Sequence, residues 1–128
     1  MPLIICVPGK KPAVCHSLSE LIDLYPTVST LCGLKIPGNI QGKDISGMLD
    51  DPAVKVRDAA LSSGKGRLLR TEKWALLDYG KKGELYDMEK DPKQYDNLFE
   101  KSEYADTLAG LKAKLGEISK NDLNLNKL

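Results

Sequence analysis

The chain has 128 residues, with 19 Lys and Arg against 18 Asp and Glu and a formal net charge of +1. Charges of both signs are mixed along the sequence, whereas nucleic-acid-binding proteins usually concentrate positive charge in one patch. One Trp and one Phe are too few for a surface that stacks unpaired bases, and no apolar run approaches the roughly 20 residues of a membrane-spanning helix. Composition therefore predicts a globular domain, or part of one, that binds neither nucleic acid nor membrane.

The N-terminal residues Leu3–Val7 form a continuous apolar run that ends at Pro8-Gly9. Such a run is typical of a strand that is buried on both faces of a parallel sheet. No second run of this kind follows in the sequence. We therefore expect the strand to join a sheet made by residues outside this chain, which would make the chain a fragment of a larger protein.

Apolar residues recur at helical spacing along Ser17–Cys32, which predicts a helix with one apolar face. The apolar positions are Leu18, Leu21, Ile22, Tyr25, Val28, Leu31 and Cys32. Ser17 and Glu20 have the spacing of a capping box, and Gly33 supplies the left-handed residue that ends many helices.

Pro26 lies inside this helical pattern and leaves two alternatives open. Either the helix kinks at the proline, or Asp23 caps a second helix whose first turn contains it. Beyond Gly33 the sequence is rich in glycine and proline, which predicts a loop with at most a short helical turn at Asp44–Leu49.

From Arg57 onward the apolar positions alternate with a period of two, which predicts β-strands. The four predicted strands are Ala59–Ser62, Arg67–Thr71, Trp74–Tyr79 and Glu84–Asp87. Their short connections predict antiparallel pairing. The connection Glu72-Lys73 lacks the Asn and Gly that are typical of tight hairpins, which makes it the least certain of the three turns.

A last helix is predicted from about Glu103 to Ser119, with Ser102 as its N-cap. Its apolar residues form one stripe: Tyr104, Leu108, Leu111, Leu115 and Ile118. Because each buried large side chain contributes about 1.5–3 kcal/mol, this stripe can hold the helix on the sheet. Asn121–Leu128 is expected to fray.

Asp87, Glu89 and Asp91 resemble the first ligands of a calcium-binding loop. Such a loop requires Gly at its sixth position and Glu at its twelfth, where this sequence has Pro92 and Leu98. We therefore predict a solvated acidic turn, closed by Asp91-Pro92, and no metal site.

The remaining reactive side chains form no complete catalytic set. The cysteines Cys6, Cys15 and Cys32 contain no C-x-x-C pair and indicate packed free thiols instead of a disulfide framework or zinc site. His16 is the single histidine and is expected to be a polar residue at the helix entry. We therefore name no catalytic residue.

Arg70 and Trp74 are the candidate substrate-binding residues. They flank the Glu72-Lys73 connection, and an Arg beside an aromatic ring on one side of a sheet can hold an anionic group. The alternative is that Trp74, the single tryptophan, packs in the core.

Five segments in order resemble the C-terminal part of a type I sulfatase of the iduronate-2-sulfatase or choline-sulfatase sort, in the alkaline-phosphatase-like superfamily. They are PLIICVPGKKP, ELIDLYPTVSTLCGL, IPGNIQGKDISGML, LLRTEKWALLDY and GELYDMEKDPKQYDNL. The resemblance implies an α+β fold in which residues 1–52 end a large α/β domain and residues 53–128 form a four-stranded antiparallel sheet packed by a C-terminal helix. Leu3–Val7 would be a late strand of the large sheet, and Leu18–Cys32 a helix that covers it.

The same resemblance implies a function for a parent protein. Sulfatases hydrolyse sulfate esters with a calcium ion and a formylglycine made from the cysteine of C-x-P-x-R. The segment that starts at Cys6 departs from this motif, because Lys10 stands in place of the Arg and cannot make its planar bidentate contacts. The family's catalytic segments precede the strand that Leu3–Val7 matches, so we expect this chain alone to be inactive and to hold no cofactor.

The implied partners are the rest of the sulfatase chain and a sulfated small molecule or carbohydrate, with Arg70 and Trp74 on the substrate side. Two alternatives stay open: a fragment of a related phosphodiesterase or phosphotransferase, and a free-standing binding or assembly module. We also expect the isolated chain to self-associate, because an unpartnered strand and the apolar face of Leu18–Cys32 would lie in water.

Overall fold

A computed structural model describes residues 3–125 of the chain, and the side chains of residues 3–120. The helices are α1, Leu24–Leu31, and α2, Ala105–Leu125. The strands are β1, Ala59–Ser63; β2, Arg67–Thr71; β3, Trp74–Asp78; and β4, Gly83–Asp87. Short 3₁₀ turns lie at Leu21–Asp23, Ser46–Leu49 and Ser102–Tyr104. The predicted α+β class is confirmed, and every strand lies within one residue of its predicted bounds.

The four strands form one antiparallel sheet in the order β1-β2-β3-β4. The register aligns Leu61, Leu69, Leu76 and Leu85 in one row across the sheet. The predicted stripe of α2 packs against this row, and Leu98 completes the cluster. The stripe residues in this core are Tyr104, Leu108, Leu111, Leu115 and Ile118. Burial of these apolar side chains is what holds α2 on the sheet.

Both edges of the sheet are in contact with other parts of the chain. At the β4 edge, the Leu98 N–H donates to the Leu85 carbonyl at 2.8 Å, and Asn97 Oδ1 accepts from the Leu85 N–H at 3.1 Å. At the β1 edge, the Glu20 carboxylate accepts from the Leu61 N–H. Unpaired strand edges invite pairing with other chains, so these contacts protect the sheet at both sides.

The apolar face of α1 lies in solvent, and the side that packs against the chain is polar. The exposed side chains, which we call the α1 apolar face, are Leu21, Ile22, Tyr25, Val28, Leu31 and Leu34. On the packed side, Thr27 is fully buried, donates to the Asp23 carbonyl at 2.6 Å and accepts from the Ile45 N–H at 3.1 Å. These hydrogen bonds, together with the burial of Pro26, Ile45 and Met48, attach α1 to the described part of the chain.

Of the two alternatives for Pro26, the structure shows the second, in which a helix starts after Asp23. Pro26 lies in the first turn of α1, where its missing N–H forfeits no intrahelical hydrogen bond. Asp23 is at the N-cap position, but its carboxylate does not cap α1. Gly33 has a φ of 67° and follows the end of the helix in the left-handed conformation, as predicted.

Leu3–Val7 forms no strand in this structure, because a strand requires a hydrogen-bonded neighbour and no described segment pairs with it. That this segment joins a sheet made by residues outside the chain stays a prediction. The prediction of a capping box formed by Ser17 and Glu20 at the start of the helix is wrong. Ser17 does not cap a helix, because its hydroxyl donates to the Val54 carbonyl at 2.8 Å. The first helical turn begins only at Leu21.

The predicted bounds of the last helix also need correction. Ser102 is the first residue of the 3₁₀ turn Ser102–Tyr104 that leads into α2, and the N-cap of that turn is Lys101. The helix continues past Ser119 to Leu125, since no Gly or Pro interrupts it there. The remainder of the tail expected to fray, residues 126–128, lies outside the described residues. Within the described range, no helix is both long and apolar enough to cross a membrane.

Replacing Gly83 with alanine is expected to destabilise the sheet. A Cβ at this position would lie 2.6 Å from the Leu77 carbonyl oxygen and would also meet the Phe99 ring, and such overpacking costs about 1–3 kcal/mol. Gly110→Ala in α2 is the matched control, because its Cβ would meet nothing within 4 Å. Urea denaturation should place the G83A midpoint below that of the parent chain and the G110A midpoint at or above it. Equal midpoints for the two variants would contradict the close approach at Gly83.

Candidate functional site

A buried ion-pair cluster joins the turn before α1 to the segment that leads into β1. Arg57 Nη1 donates to Glu20 Oε2, and Arg57 Nη2 donates to Asp23 Oδ1. The side chains of Arg57 and Asp23 are 8% and 0% exposed, so both charges are removed from water. A charge pair with this degree of burial is retained only when each partner is well satisfied by further hydrogen bonds.

The two carboxylates of this cluster also bind backbone N–H groups from three places. Asp23 accepts from the N–H groups of Glu20 and Lys43, both at 2.8 Å. Glu20 accepts from the Leu61 N–H on the edge of β1. The cluster therefore connects the 3₁₀ turn, the loop after α1 and the sheet.

The cluster was not predicted from the sequence. Glu20 and Asp23 were treated as capping residues, and Arg57 was noted only as the start of an alternating pattern. One feature of the sequence could have predicted a cation at this position. Residues three apart on a helical turn lie on the same side of it, so the negative charges of Glu20 and Asp23 require a positive side chain from another part of the chain. The sequence contains 19 Lys and Arg, and its pattern does not indicate which of them binds Glu20 and Asp23.

Two open cavities flank Arg57. The smaller, of about 220 Å³, lies between the segment before the 3₁₀ turn and the β2–β3 connection. Its polar lining residues are His16, Ser17, Lys55, Arg57, Asp58, Thr71, Glu72 and Lys73. The larger, of about 520 Å³, lies between the β1 edge and α2 and includes Lys43 and Lys114. Arg57 and Asp58 line both cavities.

Arg70 and Trp74 lie on opposite faces of the sheet, so the prediction that they reach one side of it is wrong. Arg70 lies opposite Ala75 in the sheet. It is the residue next to Leu69, which belongs to the buried row of leucines, so the Arg70 side chain lies on the other face. Trp74 is two residues from Leu76, so its side chain lies on the same face as that row and packs against the core. Because side chains alternate along a strand, the two candidate residues cannot hold one group together.

Each of the two residues has a structural contact of its own. The Trp74 ring meets Tyr104 edge to face, with centroids 5.9 Å apart and planes at 69°. Arg70 Nη1 donates to the Thr71 carbonyl at 2.7 Å and lies 3.3 Å from those of Glu72 and Trp74. Burial lowers the pKa of Arg70 below its ordinary value. A substrate-binding role for either residue stays a prediction.

The acidic turn binds its own backbone. Asp87 Oδ1 accepts from the N–H groups of Glu89 and Lys90 at 3.1 and 3.2 Å, and Asp91 Oδ2 accepts from the Asp96 N–H at 2.8 Å. Within the described range, no group of three His, Cys, Asp or Glu side chains is placed to hold a metal ion. The donor set of these residues therefore does not fit the calcium site that the sulfatase resemblance implies for a parent protein.

The cysteines and the histidine add no catalytic group. Cys6 and Cys32 are exposed, so the prediction of packed thiols is wrong for both. Cys6 lies in the unpaired N-terminal segment and Cys32 is the residue that ends α1. Cys15 is half-buried and its thiol lies 3.1 Å from the Pro52 carbonyl oxygen. His16 is exposed at the rim of the smaller cavity.

The family described as N-sulphoglucosamine sulphohydrolase, C-terminal, matches residues 1–121 of the chain. The chain belongs to this family of sulfatase C-terminal domains. The match covers the segment before α1, the whole sheet and most of α2. The resemblance noted from the five sequence segments is thereby confirmed.

Individual sulfatases match over the same range. The chain is 28% identical over 94% of its length to an N-acetylglucosamine-6-O-sulfatase from Bacteroides thetaiotaomicron, of which it covers 25%. It is 31% identical over 91% of its length to a Delta 4,5-hexuronate-2-O-sulfatase from the same organism, of which it covers 28%. A structure solved in complex with the substrate D-glucosamine-2-N,6-O-disulfate matches 77% of this chain and 23% of its own, at 28% identity and a TM-score of 0.66. The chain thus spans about a quarter of the length of the relatives that it matches.

Loss of Arg57 is expected to be far more damaging than loss of an exposed lysine. Arg57→Leu leaves the Glu20 and Asp23 carboxylates uncompensated in a buried site, which costs about 3–5 kcal/mol. Lys55→Ala removes an exposed pair with Glu72 and is the control, with no measurable change expected. Denaturant midpoints by circular dichroism compare the two. A shift for R57L no larger than that for K55A would show that the cluster contributes little to stability.

Proposed function

We propose that this chain is the C-terminal domain of an enzyme that hydrolyses the sulfate ester of a sulfated carbohydrate, and that the chain supplies none of the catalytic groups. The observation that carries the proposal is the family match over residues 1–121. The named relatives are sulfatases of an amino sugar and of a hexuronate, and a structural relative was solved with a sulfated sugar. These agree on sulfated sugars as the substrate class.

The proposal that the chain supplies none of the catalytic groups rests on the side chains of the described residues. They offer no cluster of carboxylates for calcium, and Lys10 replaces the Arg of the motif from which formylglycine is made. We therefore place the calcium ion and the formylglycine of the proposed enzyme outside this chain, and we assign no chemical step to its residues.

We propose that the α1 apolar face binds the catalytic part of the same sulfatase chain. Six large apolar side chains between Leu21 and Leu34 are exposed and form a patch of the kind that marks an interaction site. The relatives are about four times as long as this chain, so a sulfatase of their size has ample further chain to cover it. Residues 1–52 would then complete the catalytic domain, and residues 53–128 would form a subdomain beside it.

Arg70 is the better of the two proposed substrate-side residues. Its Nη1 is engaged by the hairpin carbonyls, whereas its other guanidinium nitrogens have no hydrogen-bond partner among the described residues. Trp74 would act indirectly, because its ring packs on Tyr104 and supports the hairpin that carries Arg70.

The proposed function is tested first on the native protein. Mass spectrometry of the protein that carries this sequence should give a mass several times 14.1 kDa, whereas a value near 14.1 kDa would favour the free-standing module. The native protein, with calcium, is then assayed on matched sulfate and phosphate esters of 4-nitrophenol. We expect sulfate ester hydrolysis. Turnover of the phosphate ester alone would favour a phosphodiesterase or phosphotransferase.

The 128-residue chain is the control in that assay. With calcium and no other protein it should release no 4-nitrophenol from either ester, because the proposed catalytic groups lie outside it. Release of 4-nitrophenol from the sulfate ester by the purified chain would contradict the proposal that it is inactive alone.

The isolated chain is expected to self-associate through the α1 apolar face. Replacing Leu21 and Val28, which are 68% and 53% exposed, with lysine should convert it to a monomer, because the apolar patch that drives association is broken. Tyr95→Lys is the control, since this residue is 82% exposed and lies in the acidic turn. Light scattering at high concentration gives the masses. A monomeric parent chain would contradict the prediction.

A further inference from the structure

One end of the sheet brings together basic residues that are separate in the sequence. The ends of the four strands lie in one row across the sheet: Ser63, Arg67, Asp78 and Gly83. The β1–β2 turn and the β3–β4 turn therefore leave the sheet at the same end. We call this surface the basic end, and its cationic residues are Lys65, Arg67, Lys81 and Lys82.

Three of these four cations have no partner for their charge. Lys65, Lys81 and Lys82 are exposed, and their ammonium groups make no ion pair or hydrogen bond with any residue whose side chain the structure describes. Only Arg67 is paired, with its Nη2 at 3.0 Å from Asp78 Oδ2. The three lysine charges are therefore available to a ligand.

The carboxylates at this end are engaged elsewhere. Among residues 63–67 and 78–84 they are Asp78 and Glu84. Asp78 is 7% exposed, lies between Arg67 and Lys112, and accepts from the Gly80 N–H at 2.9 Å. Glu84 is half-buried and accepts from the Tyr86 hydroxyl at 2.9 Å. The basic end is therefore locally positive, although the whole chain has a net charge of only +1.

Hydrogen bonds within the two turns fix the backbone that carries the lysines. The Tyr79 N–H donates to the Lys82 carbonyl at 3.0 Å, and Gly80 between them has a φ of 89°, which glycine adopts without strain. In the other turn the Gly64 N–H donates to the Gly66 carbonyl at 2.9 Å. Only the lysine side chains then lose freedom when a ligand binds, which lowers the entropic cost of binding.

A half-exposed aromatic ring joins the two turns. Tyr79 follows β3 and is 50% exposed. A Cβ on Gly66, in the other turn, would lie 2.4 Å from the Tyr79 ring, so the ring rests directly on the glycine backbone. A tyrosine ring presents an apolar face and a polar tip, which suits the C–H groups and hydroxyls of a sugar.

We propose that the basic end is a docking site for a sulfated polysaccharide, with Lys65, Lys81 and Lys82 as charge contacts to its sulfate groups and Tyr79 as a platform for a sugar ring. The choice of a sulfated sugar rests on the proposed function. The choice of a polymeric anion rests on the three free lysines, because they lie on two turns and a chain with repeated charges can contact both. Such a site would raise the concentration of a long sulfated substrate at the protein.

Titration calorimetry with three polyanions tests the choice of ligand. The 128-residue chain is titrated at physiological ionic strength with heparin oligosaccharides, which are sulfated, with hyaluronan oligosaccharides, which carry only carboxylates, and with a DNA duplex. We expect heparin to bind most tightly, and its affinity to fall as salt is added because the contacts are ionic. Binding of hyaluronan or DNA as tight as that of heparin would overturn the proposal.

Two charge-matched triple variants locate the site. Lys65→Ala, Lys81→Ala and Lys82→Ala combined should weaken heparin binding by about tenfold or more, because three exposed charge contacts are lost. The control combines three exposed lysines from other parts of the chain, Lys11→Ala, Lys35→Ala and Lys93→Ala, and should bind as the parent chain does. Equal losses in the two variants would overturn the proposal, because net charge would then explain the binding.

The aromatic contact has a test of its own. Tyr79→Ala should weaken heparin binding without changing its salt dependence, because the contact that is lost is uncharged. Tyr79→Phe retains the ring and should bind as the parent chain does. Equal binding by the two variants would remove the ring from the site. The lysine variants keep the proposal testable if Tyr79→Ala disturbs the turn.

The native protein shows whether the basic end is free when the rest of the protein is present. We expect it to bind heparin as the 128-residue chain does. Binding by the chain alone would overturn the proposal, because the lysines would then be covered. The titration requires no turnover, so heparin binding without sulfate ester hydrolysis would refute the hydrolase and retain the docking site. Hydrolysis without heparin binding would do the reverse.

Discussion

The buried guanidinium of Arg57 is the contact on which the arrangement of this chain depends. It draws Glu20 and Asp23, from the turn before α1, against the segment that opens the sheet. Burying three charged groups costs desolvation energy, which is recovered only when geometry and extra hydrogen bonds are good. The backbone N–H groups of Lys43 and Leu61 supply part of that compensation. We interpret the cluster as a device that sets the orientation of α1 relative to the sheet.

That orientation explains why α1 is polar on its packed side. Asp23 and Thr27 are fully buried and make specific hydrogen bonds, so they require α1 to turn this side inward. The apolar side is then left in water, although burying each of its large side chains would contribute about 1.5–3 kcal/mol. A helix with this pattern is better suited to an interface between parts of a larger sulfatase than to the core of a small independent domain.

The sheet with α2 is, by contrast, complete in itself. A row of leucines crosses the four strands, α2 covers it, and the chain near Leu98 covers the edge of β4. The acidic turn between β4 and α2 uses Asp87 and Asp91 to bind its own backbone. The carboxylates of this stretch are therefore engaged in shaping the turn.

The strands, the core stripe of α2 and the membership of the sulfatase family could all be inferred from sequence, because each depends on local periodicity or on short motifs. The relative placement of Arg70 and Trp74 depended on register: a two-residue connection pairs Arg70 with Ala75 and so puts Trp74 on the other face. Whether Leu3–Val7 forms a strand depends on a partner strand, and no sequence pattern within the chain supplies one.

The amino-acid sequence by itself determined the four strands of the sheet and the apolar side of α1 and of α2. Only the tertiary structure decided that Arg57 meets Glu20 and Asp23, which lie 37 and 34 residues away along the chain. Periodicity describes neighbours on one element, whereas the choice of a charge partner depends on how separate elements pack.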